Sequence, residues 1–141
     1  MTATDNKQII ARVLAAAAEG DMRPFADAMH ESYVFRPMAA SRRGVWAEAY
    51  AGKRHAIENF FGPWHAQLAA GLRMAPRLIL ADGDHVVFEA RGEAAMKATG
   101  EPYCQNYCQV LRMAEGRILE AREYFDSGLA DALFQPVETG G

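Results

Sequence analysis

From Tyr103 to Phe125, aromatic and aliphatic residues alternate with polar ones on both sides of Ala114-Glu115-Gly116. Period-two alternation flanking a glycine-bearing turn specifies two antiparallel strands, Tyr103–Met113 and Arg117–Phe125. Side chains point to opposite faces along a strand, so Tyr103, Gln105, Tyr107, Gln109, Leu111 and Met113 share one face. Leu119, Ala121, Glu123 and Phe125 share a face of the returning strand, with Ile118 on the other. Neither strand has a purely apolar side. Tyrosine, glutamine and carboxylate set among aliphatics describe a pocket wall better than a plain core.

The chain around this hairpin is long enough for one domain, 1–141, and half hydrophobic, which supports a core without covalent staples. Its net charge of −3 is interspersed, with no basic run. That argues against nucleic acid and against a polybasic membrane contact. Cys104 and Cys108 are the two cysteines. Four residues apart on one strand they lie about 13 Å from each other, too far for a disulfide. Free thiols, a polar start without a signal peptide and no long apolar run lead to the expectation of a cytoplasmic protein.

Upstream, Asp5 is the expected N-cap of a helix to about Glu19, with Ile9, Ile10, Val13, Leu14 and Ala17 on one side. A short helix from Asp21 follows, with Pro24 in its first turn and Phe25, Ala28 and Met29 buried. Tyr33–Pro37 reads as a strand and Val45–Tyr50 as a short extended piece. Lys53 to Ala70 reads as a helix with the stripe Ile57, Phe60, Phe61, Trp64 and Leu68, kinked at Gly62-Pro63. Arg73–Leu80 and His85–Met96 are two further strands, and Leu129–Phe134 a short turn. Helices first and strands second give an α+β fold, the helices covering one face of a curved, mainly antiparallel sheet. A cavity is expected between them.

This element order, with G-x-P-Y-x-x-x-Y from Gly100, G-R-I from Gly116 and R-E-Y-F-D from Arg122, resembles the SnoaL-like branch of the NTF2-like, ketosteroid-isomerase-like superfamily. The resemblance implies a cone-shaped barrel with a deep pocket and a homodimer formed through the outer sheet face. It leaves the reaction open, since one fold hosts many chemistries. Ketosteroid isomerases carry two Asp at positions that match Arg36 and Gln109 here, so their chemistry is disfavoured. Limonene epoxide hydrolases carry an Arg-Asp-Asp set whose counterparts are Arg91, Glu93 and Glu123. Their water-holding Tyr and Asn fall at Val34 and Arg36. The phenazine-biosynthesis PhzA/B proteins place an acid where Glu123 stands, and SnoaL-type cyclases place one that matches Glu123 or Asp126.

The resemblance makes Glu123 the leading acid or base, provided it points inward into an aromatic-lined pocket; otherwise it sits at the sheet surface or pairs structurally with Arg91. Arg91 and Glu93 are its expected charge partners, or else the three form a buried ion network. Asp126 is the second choice of acid. Tyr103, Tyr107, Gln105, Gln109, Arg36, Trp46 and Phe125 are the expected substrate contacts, with simple core as the alternative for the two tyrosines and a solvated sheet edge as the alternative for Arg36. His30, His55, His65 and His85 show no metal-ligand spacing and read as surface residues. The expectation is a cofactor-free, metal-free acid–base enzyme of isomerase, cyclase, dehydratase or hydrolase type for a small, apolar, oxygenated metabolite. A ligand-binding or dimerisation module of the same fold is the alternative.

Overall fold

The computed structural model of the chain describes residues 1–136, and residues 137–141 of the expected domain lie outside it. Helix α1 (Ala3–Ala18) buries Ile10, Val13, Leu14 and Ala17 on one side, as their spacing dictates. Its cap is Thr2 rather than Asp5. The Thr2 hydroxyl accepts from the Asp5 backbone N–H while the Asp5 carboxylate accepts from that of Thr2, a capping box with aspartate in the place usual for glutamate. Helix α2 (Arg23–Asp27) starts later than expected, because the Asp21 carboxylate takes the Arg23 N–H ahead of it. Met29 belongs to strand β1 (Met29–Pro37) and not to that helix. Of the expected Val45–Tyr50 piece only Tyr50 is extended, as the first residue of β2 (Tyr50–Ala51), since Gly44–Trp46 forms a 3₁₀ turn.

The Lys53–Ala70 helix is shorter than its apolar stripe suggests. It runs as α3 (Lys53–Ala56), a π-helical turn (Ile57–Phe61) and α4 (Gly62–His65). Pro63 supplies the reason: it lacks an N–H, and its ring would meet a carbonyl four residues back in a regular helix. One extra residue in the turn relieves both. Gly62 allows the tightening, since a Cβ there would stand 2.9 Å from the Ile57 carbonyl oxygen. Leu68 lies beyond the helix and bridges Met96.

Strands β3 (Arg73–Asp82), β4 (His85–Ala95), β5 (Pro102–Ala114) and β6 (Arg117–Tyr124) follow as an antiparallel series. The six-stranded sheet has the order β2-β1-β6-β5-β4-β3 and stays open, with β2 and β3 at its edges. β1 enters parallel to β6. Positive φ at Glu115 (54°) and Gly116 (75°) gives the β5–β6 turn the twist that a two-residue hairpin needs. Next to it, Met113 pairs with Ile118 but Arg112 with Glu120. Leu119 is the extra residue of a bulge, so Ile118 and Ala121 are both buried, contrary to simple alternation. This re-phasing leaves Glu123 on the inner face. Helix α5 (Ser127–Leu133) replaces the expected turn, with the Asp126 carboxylate capping it through the Leu129 N–H.

Candidate active site

Between the helices and the inner sheet face lies a cavity of about 220 Å³. Its sheet wall is built by Met74, Tyr103, Tyr107, Gln109, Glu123 and Phe125. The opposite wall comes from the broken helix, with Ile57, Phe60, Phe61, Trp64 and His65, and Met22 and Phe25 contribute from the region of α2. Trp46 fills a corner, its indole N–H held by Asp131 at 2.8 Å and its ring 4.8 Å from that of Phe125. The C-terminal segment braces the helical wall: Phe134 stacks on Trp64 with ring centres 3.6 Å apart. Aromatic rings therefore dominate the lining. Among the described residues no lysine or arginine contributes to it.

Among the described residues Glu123 is the one carboxylate in this lining, and 9% of it is exposed. Its Oε2 accepts a hydrogen bond from the Gln109 amide, which lies opposite it across β5 and β6. Desolvation outweighs that bond and pushes the carboxyl up to about 7, where it exchanges protons at neutral pH. Gln109 Oε1 is occluded and has no partner. Tyr33, buried on β1 with an unpartnered hydroxyl, sits in the same electrostatic neighbourhood; burial and the Glu123 charge both raise its phenol. Tyr103 and Tyr107 share a hydroxyl–hydroxyl bond of 2.8 Å. Burial pushes Tyr103 up to about 12 and Tyr107 well above the ordinary range, so both stay neutral. Gly92 makes room for the Tyr107 ring, because a Cβ there would come within 2.6 Å of its Cε2.

Glu123, Gln109, Tyr103, Tyr107, Trp46 and Phe125 thus converge on one space. The other expected site residues do not. Arg91 and Glu93 point from β4 to the outer sheet face, since the buried positions of that strand are Val86, Phe88, Ala90 and Gly92. Arg91 donates to Asn106 at 3.1 Å, and Glu93 is exposed, so neither reaches Glu123. The expected charge trio is therefore absent, because strand parity separates its members. Arg36 is exposed and pairs with Glu120 at 3.2 Å. Asp126 is consumed as a helix cap. Gln105 is buried but ties down the backbone of Asp126 at both N–H and C=O, a brace outside the cavity lining. Cys104 and Cys108 are half-buried free thiols on the outer face.

Sequence reasoning missed His65 and Tyr33. His65 reads as a surface residue in isolation, yet it falls one residue after Trp64 and one helical turn after Phe61, both at stripe positions, and the structure puts it in the cavity lining. Burial alone lowers its pKa, keeping the imidazole neutral. Tyr33 was legible as the partner of Phe35 in alternation. Among the described residues no group of three or more His, Cys, Asp or Glu side chains gathers as metal ligands. No helix among them is long and apolar enough to cross a membrane.

Comparison with known proteins places the fold. A family model described as a SnoaL-like domain matches residues 10–121. The chain superposes on Bal32a from a soil-derived mobile gene cassette with a TM-score of 0.76 and 24% identity, covering 94% of this chain and 98% of that one. A proposed SnoaL-like polyketide cyclase from Jannaschia sp. CCS1 gives 0.74 and 16%, covering 94% and 92%. TerC, co-crystallised with polyporic acid, gives 0.73 and 20%, covering 92% and 97%. At these identities the likeness establishes the fold, the α+β cone of NTF2-like proteins. A search of curated protein sequences finds no match.

Proposed function

Because the chain belongs to the SnoaL-like domain family, we propose that it binds a small, uncharged, oxygen-bearing apolar metabolite and transforms it by general acid–base catalysis through Glu123, without a cofactor. One observation carries the reading: a carboxylate held by a single amide, desolvated in an aromatic cavity and raised to about 7. Such a group gives or takes a proton at neutral pH at little cost, which is the property that isomerisation, cyclisation, dehydration and hydrolysis share. Among the described residues the cavity lining has no Arg or Lys, so an anionic ligand would be desolvated there without a cationic partner. TerC, crystallised with polyporic acid on the same fold, supports a small-molecule occupant.

A homodimer through the outer sheet face and a cytoplasmic setting complete the proposal. On that face exposed Leu80 continues through half-buried Val87 to Val110, an apolar row across three strands, and in the neighbouring row exposed Leu78 and the pair Cys108–Tyr124 flank Glu89. A purely monomeric species in solution would remove the dimer from the reading.

The second reading, a ligand-binding module without chemistry, is favoured by the missing cation beside Glu123. A turnover probe separates the two. 1,2-Benzisoxazole is a small neutral bicycle that opens to 2-cyanophenol when a proton is moved, and it reports a desolvated acid or base without knowledge of the natural substrate. The wild-type chain should open it, and Glu123→Gln should be slower by roughly 10²-fold or more. Equal rates in the two would leave the binding module standing.

A further inference from the structure

We propose that His65 is a second proton-transfer residue of this cavity, acting from the helical wall on a substrate whose other end meets Glu123. The proposal rests on the ligand-site reading above and assigns the direction of proton flow within it. The π-helical turn and Gly62-Pro63 set the rotation of the short helix that follows, and that rotation brings His65 into the lining with Trp64 and Phe61. Its imidazole makes no hydrogen bond or ion pair among the described residues, and its ring nitrogens are not among the occluded, unpartnered atoms of the interior. Phe61 lies against the ring, with centres 6.2 Å apart. Among the described residues the remaining titratable groups of the lining are Glu123, Tyr103 and Tyr107, and the two phenols stay neutral.

Burial acts in opposite directions on the two groups that face the ligand. It favours neutral imidazole and neutral carboxylic acid, so near neutral pH His65 is the base and Glu123 the acid. On the probe, an imidazole nitrogen takes the C3 proton and the C–H electron pair becomes a bond of the nitrile. The N–O bond breaks toward oxygen, and the Glu123 O–H proton passes to that oxygen. The products are neutral 2-cyanophenol, imidazolium and carboxylate, and the last two return to the neutral pair by proton exchange through water. The substrate class that follows is an uncharged molecule with an acidified C–H at one end and an oxygen function at the other.

The test is the pH dependence of kcat/KM for 1,2-benzisoxazole in the wild type, His65→Gln, Glu123→Gln and His65→Ala with added imidazole. The expected wild-type profile is a bell. Its rising limb lies below the ordinary histidine range and disappears in His65→Gln, with a loss of roughly 10²-fold. Its falling limb lies near pH 7 and disappears in Glu123→Gln. Imidazole should restore turnover to His65→Ala. A single rising curve through about pH 7, lost in Glu123→Gln and unchanged in His65→Gln, would overturn the role of His65 and keep Glu123 as a lone base. Rates insensitive to both substitutions would overturn this proposal and the acid–base reading together. The wild-type profile alone decides between bell and single rise if a variant does not fold.

Discussion

Replacing Glu123 by glutamine should stabilise the chain at alkaline pH and change its stability little in acid. Burial raises the carboxyl from 4.5 to about 7, so the folded chain holds this proton more tightly than the unfolded chain does. At roughly 1.4 kcal/mol per pH unit, ionising Glu123 in the folded chain is about 3 kcal/mol harder than in the unfolded chain. The sign follows directly. The contribution is fully present below pH 4.5, declines between 4.5 and about 7, and is gone above that range. Glutamine does not ionise, keeps nearly the same shape, and can still accept from the Gln109 amide through its carbonyl. His65 drifts the other way, since its lowered pKa makes the folded form gain stability as pH rises. Both chains carry His65, so the difference between them cancels it. Urea unfolding of the wild type and Glu123→Gln at pH 4.5 and 8 gives that difference. The stability gap should shift toward the variant by about 3 kcal/mol between the two pH values, equivalent to on the order of 10 °C in melting temperature for a chain of this size. Parallel pH curves for the two proteins would refute the desolvation argument, because a solvated carboxylate has no such penalty to lose.

Two further substitutions test the packing behind Tyr107 and the start of α1. Gly92→Ala places a methyl within 2.6 Å of the Tyr107 ring; it should cost about 1–3 kcal/mol in urea unfolding and disturb the near-ultraviolet dichroism of the tyrosine pair. Thr2→Ala removes the hydroxyl half of the α1 capping box and should cost about 1 kcal/mol, whereas Thr2→Ser should be close to neutral.

The sequence determined the strands, the order of the elements and the inward face of β5, because period-two alternation over Tyr103–Met113 admits one register against a core. It also singled out Glu123, through the resemblance of its last strand to a family, and the aromatic character of the wall opposite. The tertiary structure decided the rest. Arg91 and Glu93 share a parity on β4 that spacing alone leaves free to face either way; the burial of Phe88, Ala90 and Gly92 sends both outward and leaves Glu123 without a cation. A bulge at Leu119, set by the pairing of two strands, returns Glu123 to the inner face although simple alternation fails beside it. His65 looks like any polar residue near a helix end until Pro63 forces a π turn and the sheet closes over it. Local pattern sets which elements form, since it is a property of neighbours in the chain. Which side chains meet is a property of packing between elements far apart in sequence, and so is the desolvation that raises Glu123 and lowers His65.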